Sequence, residues 1–273
     1  MSLNLSDVSE TLWIPLFGKA IETKRKNGLI EDAFALEIAE KACRMEPSLN
    51  RWWTSLSRES QGLMIWRNNA IDQYVSDYIA KHPDGVVVNL GAGLCTRFQR
   101  FNNQQIKWVE IDLPPVKDAW LNFNSETSDH FFWTDNIFQE EWLKKIKAIR
   151  SENVLFIAEG LMMYFSKAQV KQIFENVNRH LGDSYFILEA YSKFALMRPH
   201  PDVWKTAARK FKNPWGIATG KDFESWLPSI KHVSDNYFLK NEKALRRVPF
   251  THKIGSKIPI ISKAGKIVYL HIT

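Results

Sequence analysis

The sequence predicts an α/β fold: a doubly wound, mostly parallel sheet covered by helices on both faces, preceded by a helical N-terminal extension. Three observations lead there. Runs such as Val86 to Val88 and Val154 to Ala158 are apolar at every position, so both faces of each strand must be buried. Helical stretches separate these runs, the alternation that gives parallel pairing through crossover helices. The first 82 residues carry helical periodicity and no strand pattern.

Taken in order, Ser6 and Asp7 suit the N-cap of a first helix, in which Val8, Leu12, Leu16 and Ala20 share a face. Pro15 is expected to kink or interrupt it. A second helix is expected from Glu31 to Arg44, ending before Pro47. A third, from about Ser57 to Lys81, has an apolar stripe of Leu63, Trp66, Ala70, Tyr74 and Tyr78, and His82-Pro83 ends it. After Pro83, strands are expected at 86–90, 106–111, 130–134, 154–158 and 185–188. Helices are expected after Pro114-Pro115 and over 138–150 and 167–181. The last third offers a helix near 222–227 and strands near 236–239 and 267–271. No Gly/Ser-rich linker divides the chain. It therefore reads as a single domain over 1–273, with 1–82 a helical extension or lid and 83–273 the α/β core.

Composition narrows the function classes. With 45% hydrophobic residues the chain can build a core, which excludes a disordered protein. The 37 Lys and Arg against 30 Asp and Glu give +7, but unevenly. Residues 1–190 hold 21 basic and 25 acidic residues, and residues 191–273 hold 16 and 5. A uniformly basic nucleic-acid wrapper does not fit this distribution, and no nucleic-acid partner is expected. Two cysteines, Cys43 and Cys95, build neither a disulfide framework nor a tetrahedral metal site. The histidines show no metal spacing, and His200 and His232 read as surface or loop residues, so no metal is expected. No secretory signal or 18-residue apolar span is evident, and a cytoplasmic protein is expected.

The chemistry concentrates in Val86-Val-Val-Asn-Leu-Gly-Ala-Gly93. A strand entering Gly-x-Gly lets the backbone approach a nucleoside-like ligand closely, although the same motif also serves as a plain tight turn. Asp112 follows the second strand, where a carboxylate can bind ribose hydroxyls or cap the helix after Pro114. Thr96 stands where a dinucleotide fingerprint has its third glycine, which disfavours an NAD-dependent oxidoreductase. A ribose-bearing ligand without phosphate, such as S-adenosylmethionine, fits better.

Four segments in order then resemble the leucine carboxyl methyltransferase family. They are Asn89-Leu-Gly-Ala-Gly-Leu-Cys-Thr-Arg97, Glu110-Ile-Asp-Leu-Pro114, Ile157-Ala-Glu-Gly-Leu-Met-Met-Tyr164, and Arg67 with Asp72. The likeness runs from about residue 10 to 190, and its short spacing resembles the bacterial branch. It implies a Rossmann-like seven-stranded sheet and a methyltransferase that converts S-adenosylmethionine to S-adenosylhomocysteine. One branch methylates the C-terminal leucine of a phosphatase catalytic subunit, and many bacterial members act on unknown or polyketide-like small molecules. The resemblance places Arg67 on the methionine carboxylate and Gly91 and Gly93 beneath the methionine end. It places Asp112 on the ribose, Asp135 and Asn136 at the adenine edge, and Glu159 beside the amino group or sulfonium. Cys95 departs from the family's Asp.

The residues alone leave alternatives. Arg67 could pair with Asp72 or Glu59 on its own helix, and Asp135 could cap the helix near Phe138. Glu159 leaves a buried strand at its carboxyl end, which favours a ligand-facing role. Tyr164 and Tyr191 are acceptor-pocket candidates or packing residues, and Arg198 is a candidate clamp for an acceptor carboxylate. Cys95 is a small buried hydrophobe or a reactive thiol. The acceptor implied is a carboxylate or hydroxyl of a small molecule or peptide, an anionic one included. A non-catalytic nucleoside-binding protein is the alternative from another class. The segment 245–261 is basic and apolar together. It reads as a membrane-surface segment, an anion-binding wall or a solvated face, and Pro249 and Pro259 oppose a continuous amphipathic helix.

Overall fold

A computed structural model gives the structure of residues 9–149, 153–196 and 215–273. The chain opens with a 3-10 turn, Ser9–Leu12, followed by α1 (Trp13–Lys24) and α2 (Ala33–Met45). The short α3 (Trp52–Ser55) and the long α4 (Arg58–Lys81) complete the extension. Pro15 does not kink α1. It is the third residue of the helix, within the first turn, where a proline is tolerated, and the α-helix runs on through it to Lys24. The predicted cap at Ser6 and Asp7 lies outside the described residues.

The core then alternates strands and helices, with the short α5 and α9 additional to the expected helices: β1 (Val86–Leu90), α5 (Arg97–Phe101), β2 (Lys107–Ile111), α6 (Pro114–Trp120), β3 (His130–Trp133), α7 (Glu141–Ile149), β4 (Val154–Ala158), α8 (Lys167–Leu181), β5 (Ser184–Tyr191) and α9 (Lys193–Leu196). A 3-10 turn over Gly220–Ser225 stands where the sequence predicts a helix near 222–227. After it come β6 (Ile230–Tyr237), α10 (Glu242–Leu245), α11 (Phe250–Gly255), α12 (Pro259–Ser262) and β7 (Gly265–Ile272). The sheet order is β3-β2-β1-β4-β5-β7-β6. The first five strands pair in parallel, and β7 runs antiparallel between β5 and β6.

The apolar strands are buried on both sides. Val86, Val88 and Leu90 face a core layer shared with α7 and α8, whereas Val87 faces the layer under α4. Strand β4 splits the same way, with Val154, Phe156 and Ala158 on one face and Leu155 and Ile157 on the other. A third cluster joins α1 and α2 to the core through Trp13, Phe17, Leu94, Val116 and Trp120. The expected strand near 236–239 only overlaps the end of β6, since Phe238–Lys240 forms a 3-10 turn. Lys231, His232, Ser234 and Asp235 give this edge strand no apolar run, and a register shift between His232 and Ser234 breaks its alternation.

Strand order reverses between β1 and β4, which leaves a crevice outside their carboxyl ends. A buried polar ladder crosses the sheet just beneath. Asn89 on β1 donates to Glu110 on β2 at 2.8 Å, and His130 on β3 lies 3.4 Å from the other Glu110 oxygen.

Candidate functional site

The crevice holds a cavity of about 860 Å³. Its walls come from α1, α4, the glycine loop, the ends of β2, β4 and β5, and the α11–α12 region. Gly91 and Gly93 have φ of +63° and +57°, the left-handed region that suits glycine. A Cβ on Gly91 would also lie 2.7 Å from Leu161 Cδ1.

Charged side chains converge at one end. Arg67 lies 2.6 Å from Glu189 and 3.9 Å from Glu159. Glu189, fully buried at the end of β5, also accepts the Gly160 N–H at 3.0 Å and the Tyr191 hydroxyl. Arg97 bridges Glu159 at 2.6 Å and Asp72 at 2.8 Å, and Arg100 closes on Asp72 as well. From α1, Lys19 donates to the buried Thr96 hydroxyl at 2.6 Å and sits 3.3 Å from Asp32, the N-cap of α2. The network is balanced, with Lys19, Arg67, Arg97 and Arg100 facing Asp32, Asp72, Glu159 and Glu189.

This surrounding sets the protonation states. Burial alone would raise the Glu159 carboxyl, but Arg97, Arg67 and Lys19 hold it down to about 2. Asp32 is likewise held below its ordinary value, because Lys19 and Arg100 outweigh its burial. Burial pushes the Asp112 carboxyl up, against two backbone N–H bonds that favour the charged form. Burial also raises the Cys95 thiol, so this position is neutral where the family carries a charge.

All nine described residues singled out from the sequence line this cavity: Arg67, Gly91, Gly93, Asp112, Asp135, Asn136, Glu159, Tyr164 and Tyr191. Arg198 lies outside the described residues. Several pairings differ from those that local spacing offers. Arg67 pairs across the fold with Glu189, and Asp72 is taken by Arg97 and Arg100. Asp112 accepts the Gly93 N–H at 2.8 Å and the Leu113 N–H at 2.7 Å, tying the glycine loop to β2 instead of capping α6. Asp135 does not cap α7. It receives Lys145 Nζ at 2.8 Å on each oxygen, while Asn136 accepts the Phe138 N–H at 3.0 Å.

Four participants are not singled out by the sequence. Glu189 follows Tyr185-Phe-Ile-Leu188 as Glu159 follows β4, so the argument that marks Glu159 applies to it as well. Arg97 is visible only as the last letter of a motif. Lys19 lies 77 residues from its partner Thr96, and nothing local marks it. His252 has no metal spacing to mark it, yet it stands in the cavity wall, 3.2 Å from Glu59. Within the basic segment, Arg247 belongs to neither an anion wall nor a solvated face. It clamps the fully buried Glu22 of α1 through contacts of 2.9 and 3.2 Å.

The site suits S-adenosylmethionine on its own chemistry. The Nε of Arg67 is buried without a hydrogen-bond partner, a donor left for an anionic group. The Asp112 oxygens keep lone pairs beyond their backbone bonds. The glycine loop leaves room beside Gly93, where a Cβ would meet only Leu12 at 3.5 Å. A sheet of this order with such a cavity at its switch point defines a Rossmann-like α/β fold with a ligand-sized site at the usual place.

Comparison with known proteins specifies the family. The leucine carboxyl methyltransferase family model matches residues 14–178, and the chain belongs to that family. It is 24% identical over 232 residues to the tetracenomycin polyketide synthesis O-methyltransferase TcmP of Streptomyces glaucescens, covering 84% of this chain and 83% of that protein. It is 21% identical over 193 residues to the S-adenosyl-L-methionine-dependent methyltransferase dpfgK of Gibberella zeae, covering 67% and 64%. Among solved structures, a DUF574 family protein from Streptomyces avermitilis superposes with a TM-score of 0.56 at 13% identity, covering 95% of this chain and 97% of that one, a likeness of fold. Among the described residues no helix is long and apolar enough to cross a membrane.

Proposed function

We propose that the protein transfers a methyl group to an oxygen of a small acceptor, a carboxylate or a hydroxyl. The observation that carries this reading is the mixed lining of the cavity, where Arg67, Asp112 and Glu159 share the wall with Tyr164, Phe165, Phe194 and Phe238. S-adenosylmethionine supplies the methyl group on a cationic sulfur. Arg67 holds the carboxylate of its methionine part and Glu159 faces the amino group or the sulfonium. Asp112 takes the ribose hydroxyls, and Asp135 with Asn136 meets the adenine edge. The helices of residues 1–82 act as the lid of one methyltransferase domain, with Lys19 and Thr96 fastening α1 to the glycine loop.

A largely apolar lining favours a reaction in which opposite charges cancel. A carboxylate acceptor is already ionised and needs no base. A hydroxyl acceptor must lose a proton, and His252, oriented by Glu59, is the imidazole placed to take it. The O-methyltransferase TcmP supports an oxygen acceptor.

Calorimetry with S-adenosylmethionine, S-adenosylhomocysteine and NAD tests the binding half. Both sulfur ligands should bind and NAD should not, and silence from both sulfur ligands would sink the reading. Arg67→Ala and Asp112→Ala should each weaken binding by about 1–3 kcal/mol, the worth of charge-assisted hydrogen bonds. Transfer of radiolabelled methyl into a metabolite pool tests the reaction. Base-labile label marks a carboxyl ester, stable label an ether, and no transfer leaves a nucleoside-binding protein.

A further inference from the structure

Nine large hydrophobic side chains are well exposed among the described residues, and four of them fall within eleven consecutive positions. These are Phe250 (74% exposed), Ile254 (51%), Ile258 (43%) and Ile260 (67%), on α11, the turn after it and α12. Phe250 and Ile254 are four residues apart and share a face of α11. His252, on the opposite face, is held by Glu59 of α4, and Gly255 is buried against Ile261. The inner side of this segment is therefore fixed to the fold while its outer side is apolar.

The charge around it is mostly basic, with the exposed Glu242 at its edge and Glu59 taken up by His252. Residues 243–273 contain seven Lys and Arg and no Asp or Glu. Arg247 is committed to Glu22, and Lys266 is buried. Lys243, Arg246, Lys253, Lys257 and Lys263 are all exposed.

We propose that the outer face of α11 and α12 docks on an anionic lipid surface. Bulky apolar side chains interleaved with lysines are the composition of an interfacial segment, whose lysine stems lie along the apolar layer while the ammonium groups reach the headgroups. Protein–protein interfaces are instead depleted in lysine, which disfavours a protein as occupant. Neither feature suffices alone. A small apolar insertion binds marginally, and each lysine near an anionic surface raises the partition by roughly five-fold, so the two act together. Docking this way leaves the cavity wall formed by His252 and Ile261 directly behind the docked face.

The test uses the full chain and sucrose-loaded vesicles of phosphatidylglycerol mixed with phosphatidylcholine. At about 0.1 M salt, where screening reaches about 10 Å, the protein should sediment with them. Binding to pure phosphatidylcholine should be at least about ten-fold weaker, given the multiplicative effect of the lysines. Phe250→Ser/Ile260→Ser should lower the partition by about ten-fold or more from its lost apolar area. Lys253→Gln/Lys257→Gln should do the same through charge, with the melting temperature of each variant unchanged. No sedimentation with the anionic vesicles, or undiminished sedimentation of the apolar variant, overturns the proposal. So does a dimer in sedimentation velocity that the apolar variant makes monomeric without any vesicle binding, since a second copy then covers the face.

Discussion

Glu189→Ala is the most informative perturbation of the charged end. Glu189 is fully buried and satisfies Arg67 at 2.6 Å, the Gly160 N–H at 3.0 Å and the Tyr191 hydroxyl. Removing one partner of a buried ion pair costs about 3–5 kcal/mol, because the other charge is left unmatched. An orphaned backbone N–H adds about 1–3 kcal/mol. Two factors reduce the sum: Glu159 is still 3.9 Å from Arg67, and the adjoining cavity admits water. The expected loss is therefore about 3–4 kcal/mol, read as a shift in urea midpoint followed by tryptophan fluorescence and circular dichroism together. Arg67→Met/Glu189→Leu should recover most of it, since an apolar pair of similar volume often replaces a buried ion pair at no cost. A loss below about 1 kcal/mol for the single variant, or a double variant as damaged as the single, would refute the coupling.

Two further predictions concern the basic end of the chain. Burial depresses the fully buried Lys266 to about 8 from an ordinary 10.5. The unfolded chain then binds the extra proton between those values, so stability should rise with pH from about 8 to 10.5. Lys266→Met should stabilise the protein by about 1–3 kcal/mol at pH 7 and flatten that rise, measured by urea unfolding across the range. A variant no more stable than the parent, with the slope intact, would assign the pH dependence to another group. Arg247→Ala should cost about 1–2 kcal/mol, because it removes one of two cations on the buried Glu22 while Arg25 and the Leu29 N–H still hold it, whereas Arg246→Ala should stay within about 0.5 kcal/mol. Equal effects in thermal melts would mean that the clamp contributes nothing.

Much of this architecture is legible in the amino-acid sequence. Strands β1, β4 and β5 can be read because burial on both faces makes them continuously apolar, and the glycine loop because a left-handed backbone restricts the residue choice. The residues at the ends of those strands face the cavity for the same reason, as β1, β2 and β4 each deliver their next residues into the switch-point crevice. What stays hidden is long-range. Strand β6 is an edge with mixed residues and a broken register, so no period marks it. The partners of Arg67 show the limit most clearly. Spacing offers Asp72 and Glu59 on the same helix, but the fold brings Glu189 from 122 residues away. Arg247 meets Glu22 across 225 residues, so a reading based on local charge counts it as surface.

The place of β7 between β5 and β6 bears on how the chain is made. Every cofactor motif and all of β5 have been translated by residue 191, yet the strand that covers the open side of β5 begins at residue 265. Until then β5 presents a row of unpaired backbone groups along eight residues, six of them buried once β7 is in place. A nascent chain that already carries the whole binding motif is therefore at its most adhesive and cannot yet close its cavity, because His252, Ile261 and Gly265 belong to the wall. Ribosome stalling or truncation after residue 191 should yield aggregates instead of a weak enzyme, and the partition of such fragments between pellet and supernatant would show it.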